Sequence, residues 1–134
     1  MTKEEIVGIQ DRQVKEIKIP VKGWEGKRYY VRTITAREYD WFEKGRYMGE
    51  AKHEEHLKTW RERLAALFLC DETGRRIFND DEAVLLAGKS QLAIDIINKE
   101  GRELNALSNE VMQELEKNSE QTQRSDSGTD SLDI

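Results

Sequence analysis

A chain of 134 residues is one domain of common size, long enough to bury a core without disulfide staples. Its net charge of −5 argues against non-specific binding to nucleic acid and against anchoring on an anionic membrane, since both need surplus Lys and Arg. The single cysteine leaves no internal disulfide, no apolar run approaches a membrane span, and Met1-Thr2-Lys3-Glu4-Glu5 is too acidic for a signal peptide, so a soluble cytoplasmic protein is expected.

Thr2-Lys3-Glu4-Glu5 has the capping-box pattern and predicts a short helix to about Gln10. Ile17, Ile19 and Val21 alternate with polar residues as in a half-buried strand, and Pro20, lacking an amide donor, assigns that strand to an edge. Gly23-Trp24-Glu25-Gly26 supplies turn residues, and Arg28 to Ile34 is rich in strand formers. The segment from about 14 to 34 therefore reads as an antiparallel β-hairpin.

Thr35-Ala36-Arg37-Glu38 is a second capping box, opening a helix through Tyr39, Trp41, Phe42 and Met48 that ends near Gly49. A longer helix from about Lys52 to Leu69 carries Leu57, Trp60, Leu64, Leu67 and Phe68 on one face, with Cys70 as its last residue. Asp71-Glu72-Thr73-Gly74 forms a turn, and Ile77-Phe78 returns to the core. Asn79 caps a short helix over Asp80–Ala87, with Glu82 at its N3 position. Ser90 caps a last helix bearing Ile94, Ile97, Leu104, Leu107, Val111 and Leu115 along one side. Gly101 interrupts it, at about 1 kcal/mol against Ala, to allow a kink or a close backbone approach.

From Asn118 onward the chain holds four acids, one Arg and almost nothing apolar, too little to offset the entropy of ordering. The fold class expected is α+β: a mostly helical single domain over 1–117 with one small hairpin, followed by a disordered acidic tail at 118–134.

Catalytic and metal constellations fail on spacing. His53 and His56 are three apart, where a helical zinc pair needs four, and the chain has no other histidine. Cys70 has no base beside it, and Asp71 would raise its pKa. The acids between Asp71 and Glu82 lack the twelve-residue calcium loop, and Gly88-Lys89-Ser90 lacks the glycine that a phosphate-binding loop needs five residues earlier. No catalytic residue, metal or cofactor is assigned, and enzymatic activity is not expected.

Taken in order, the motifs resemble those of the tail assembly chaperones of long-tailed bacteriophages and prophages. The likeness runs over about residues 10 to 117. It comprises the hairpin, Val31-Arg32-Thr33-Ile34-Thr35-Ala36-Arg37-Glu38 entering an aromatic helix, and Leu67-Phe68-Leu69-Cys70-Asp71-Glu72-Thr73-Gly74 with the return at Ile77-Phe78. Leu86-x-x-Lys89-Ser90 and Leu104-Asn105-x-Leu107-Ser108 complete it.

The resemblance implies a non-enzymatic protein of the bacterial host cytoplasm. Such a protein holds the long helical tape measure protein soluble and, in a longer frameshifted form, also recruits tail tube protein. Trp60, Leu64, Leu104, Leu107 and Val111 are candidates for a helix-binding groove, the alternative being that they form the domain core. Trp24, at the hairpin tip, is either an exposed interface anchor or folds back over the sheet. Self-association is compatible with the apolar surplus of the last helix. A competing reading is a small regulatory adaptor or antitoxin-like protein whose acidic tail wraps a basic partner.

Overall fold

The computed structural model describes residues 1–44, 50–106 and 117, with the backbone alone from 50 to 57. Helix α1 (Lys3–Val7) is held by the Thr2 capping box: the Thr2 hydroxyl accepts from the Glu5 amide and the Glu5 carboxylate accepts from the Thr2 amide. It ends at Val7, three residues sooner than Gln10, with Gly8 as its C-cap, and buries nothing.

Strand β1 (Val14–Ile17) pairs antiparallel with β2 (Tyr29–Arg32), Val14 opposite Arg32 and Ile17 opposite Tyr29. The ladder stops at Ile17, short of the expected Val21, because Ile19-Pro20-Val21 closes a tight turn in which the Val21 amide donates to the Ile19 carbonyl at 2.8 Å. Ile17 and Ile19 are nonetheless both buried, so the alternation directs side chains even where the strand has ended.

Helix α2 (Ala36–Lys44) starts at its expected capping box, with Thr35 and Glu38 exchanging bonds of 3.2 and 2.8 Å. Its expected continuation through Met48 to Gly49 lies outside the described residues. Helix α3 (Glu50–Phe68) is broken by a non-helical Thr59 (φ −120°, ψ 17°). Beyond that kink Trp60, Leu64, Leu67 and Phe68 are all buried.

Two expectations are corrected at the end of α3. Cys70 is not the last residue of the helix. Leu69 and Cys70 form a third strand, β3, pairing with Val31 and Tyr30, so the hairpin becomes a three-stranded antiparallel sheet in the order β1-β2-β3. The turn after it drives the change. Asp71 Oδ1 accepts from the Thr73 amide, the Thr73 hydroxyl and the Arg75 amide, and Gly74 takes φ 91°, reversing the chain so that Arg76 bridges back to Cys70. A two-residue strand carries too few positions for a period to show.

Asn79 and Glu82 then form the capping box of a 3-10 helix (Asp80–Gly88), tighter than the expected α-helix. Helix α4 (Gln91–Leu104) begins at Ser90 as expected and buries Ala93, Ile94, Ile97 and Gly101. The expected continuation through Leu107, Val111 and Leu115 lies outside the described residues. Asn105 caps α4 and Ala106 takes a left-handed φ of 56°, a conformation that ends a helix.

The core lies where α3, the 3-10 helix and α4 meet the sheet. Val31, Leu64, Phe68 and Ile97 are fully enclosed, and α4 crosses both β1 and β2. At Gly101 the close approach is real. A Cβ there would stand 2.2 Å from the Phe68 ring, so only glycine lets α4 lie against α3. The expected tail, 118–134, lies outside the described residues.

Candidate partner-binding cleft

The hairpin tip and the 3-10 helix face each other across an open cleft of about 580 Å³. Gly23 and Gly26, at φ 89° and 82°, turn the tip, and the Glu25 carboxylate accepts from the Gly23 amide at 2.7 Å. This places the half-buried Trp24 against Tyr29, their ring centroids 5.5 Å apart and tilted by 44°. The Tyr29 hydroxyl donates to the Trp24 carbonyl at 2.7 Å, which fixes the turn from the sheet side.

Trp24, Tyr29, Leu69, Ile77, Phe78 and Leu85 line the cleft, and its only charged lining residues are Lys22 and Lys89. Ile77 and Leu85 are 53% and 59% exposed, so this is apolar surface left in water. Ile77 therefore departs from its expected place in the core, while Phe78 keeps contact with it.

The residues singled out from sequence fall in different places. Trp24 lines the cleft. Trp60 and Leu64 are 3% and 0% exposed, inside the core, and Leu104 is half-buried against it. Leu107 and Val111 lie outside the described residues. Sequence reading missed Ile77, Leu85 and the flanking lysines as cleft residues. Along the 3-10 helix, Val84 and Leu85 are exposed while Leu86 is buried, three positions after the buried Ala83.

The cleft continues. Leu86 and Lys89 also line a second depression with Arg61 and Gln91, and those two line a third with Trp60, Asp95, Asn98, Lys99 and Arg102. In this trough the Arg61 guanidinium lies 4.6 Å over the Trp60 ring. Asn98 donates to the Arg61 carbonyl at 3.1 Å, while Asn98 Oδ1 and Trp60 Nε1 are buried without a partner.

Burial pushes the Cys70 thiol up to about 11, with Asp71 adding to the rise and Arg32 opposing it, so no thiolate nucleophile forms near neutral pH. No three His, Cys, Asp or Glu side chains gather as a metal site among the described residues, and the side chains of His53 and His56 lie outside them. No helix among the described residues is long and apolar enough to cross a membrane.

No protein-family model matches the sequence, and no curated protein matches it significantly. Among solved structures, the fold is similar to the structure of the bacteriophage HK97 tail assembly chaperone. The match has a TM-score of 0.53 at 16% identity over 69% of this chain and 85% of that one. At that identity the likeness shows a shared fold: a small helical domain built around a short antiparallel sheet.

Proposed function

We propose that this protein is an assembly chaperone for a bacteriophage or prophage tail, acting in the host cytoplasm by covering apolar helical surface on a tail protein. The observation that carries the reading is the open apolar cleft at Trp24, Ile77 and Leu85, on a fold shared with a tail assembly chaperone. A tape measure protein is the partner that best fits such a cleft. Its long helices present bulky side chains at i, i+3, i+4 and i+7, and these aggregate unless covered. Tail tube protein is the second partner proposed, through a longer form of the chain.

The mechanism needs no bond to be made or broken. Leu85 and Ile77 stand in water, so a partner side chain entering the cleft removes apolar area from both surfaces at once, worth about 25 cal/mol per Å². Tyr29 holds Trp24 in place beforehand, which lowers the ordering cost of capture. Beyond the domain, the acidic segment at 118–134, proposed as a disordered tail, would keep the complex soluble through net negative charge.

Co-expression with the tape measure protein encoded beside it tests the reading. The partner is expected in the soluble fraction with the wild-type chain and in the pellet with Leu85→Asp, a substitution at an exposed site that leaves the core untouched. Equal insolubility of the partner with and without the wild-type chain would overturn it.

A further inference from the structure

The trough that leads out of the apolar cleft has a charge opposite to that of the molecule. Over the cleft and its two continuations the lining cations are Lys22, Lys89, Arg61, Lys99 and Arg102, against the carboxylates Glu62 and Asp95. The whole chain is at −5. Elsewhere the cations that face acids are paired: Lys15 with Glu100, Arg28 with Glu16, Arg32 with Glu38 and Arg76 with Asp80. Among the described residues, none of the five trough cations has an ion-pair partner.

The floor of the trough is also unsatisfied. Trp60 is 3% exposed and Asn98 5%, yet the indole N–H and the amide oxygen bond to nothing. The Asn98 amide nitrogen is spent on the Arg61 carbonyl, which fixes the orientation of that side chain. The cations along the trough complement carboxylate side chains on a partner peptide.

We infer that the trough receives an acidic segment of the partner polypeptide, running on from the bulky apolar side chain held in the cleft. The inference rests on the chaperone reading and adds its specificity: the apolar cleft supplies attraction, and the trough selects segments whose anchor is followed by Asp or Glu. Nucleic acid would also meet cations here, but the net charge of the whole chain opposes it.

The test uses the full-length protein and three labelled synthetic helical peptides carrying the same Leu and Phe anchors, followed by four Glu, four Gln or four Lys. The Glu peptide is expected to bind at least about fivefold tighter than the Gln peptide at low salt, with the difference shrinking as salt screens the trough. Lys99→Glu/Arg102→Glu, at an exposed and a half-buried position, should cancel or reverse that preference. Arg61→Glu, read separately because Arg61 covers Trp60, should add to the effect. Equal binding of the Glu and Gln peptides, or a preference untouched by the double reversal, would overturn the inference.

Tighter binding of a single-stranded oligonucleotide than of the Glu peptide would also overturn it. So would Glu-peptide binding that appears only after Asp126→Asn/Asp130→Asn/Asp133→Asn in the full chain, because the occupant would then be the protein's own tail. Loss of all three peptides with Leu85→Asp, alongside an unaffected preference in Lys99→Glu/Arg102→Glu, leaves the cleft standing and removes the trough alone.

Discussion

Gly101 and the Arg32–Glu38 pair show how much single side chains decide. In an isolated helix Gly101→Ala gains about 1 kcal/mol, but here the new methyl meets the fully buried Phe68 ring at 2.2 Å, where overpacking costs about 1–3 kcal/mol. A net loss of up to about 2 kcal/mol is expected in urea unfolding. Phe68→Leu in the same chain should recover part of it, as a double-mutant cycle would register.

Arg32 is 3% exposed and makes bonds of 3.1 and 2.8 Å to the two oxygens of Glu38. Burial alone would raise the Glu38 pKa. The Arg32 and Thr35 hydrogen bonds outweigh it, so the carboxyl lies below its ordinary 4.5. A folded pKa below the unfolded one contributes stability that is complete above about pH 4.5 and fades as pH falls through the folded value. Glu38→Gln should therefore cost about 3 kcal/mol at pH 7, because a buried guanidinium loses its counter-charge, and should flatten the acid limb of a stability–pH curve. An unchanged acid limb in the variant would count against the pair.

The elements differ in how far local chemistry specified them. Three capping boxes, at Thr2, Thr35 and Asn79, were legible because each needs only residues three apart, and all three form. The buried stripe beyond Trp60 was legible for the same reason, since its period is local. Strand β3 was not: Leu69 and Cys70 become a strand only because the chain reverses at Gly74 and β2 lies alongside.

The end of α4 depends on a long-range bond. The Asn105 side chain donates to the Arg32 and Gly101 carbonyls and accepts from the Ile34 amide at 2.8 Å, tying the helix end to the end of β2 across 71 residues of sequence. Asn105→Ala strands an Ile34 donor and should cost about 2 kcal/mol by thermal or chemical unfolding. Asn105→Asp keeps the acceptor and should cost less. Equal losses would argue that the acceptor is immaterial.

At the scale of the molecule, two of the five residues that sequence offered for either a groove or the core lie in the core, and other apolar residues stand in water. Trp60 and Leu64 closed the core, and Ile77, Leu85 and Trp24 were left around the cleft. The reason is geometric. A 3-10 helix of nine residues cannot turn a Val-Leu-Leu run to one side, and the hairpin tip lies close enough to frame what remains. Trp24 was legible as a loop-tip aromatic, whereas Ile77 and Leu85 across the cleft lie more than 50 positions later and only the fold brings them there.

Hydrogen exchange by mass spectrometry, on this chain alone and in complex with its tape measure protein, tests the central claim most directly. Protection is expected to concentrate on residues 22–29 and 77–89, the two walls of the cleft, and to vanish with Leu85→Asp. Protection confined to the opposite face, over α1 and the outer edge of β1, with the cleft walls exchanging as in the free chain, would contradict the account.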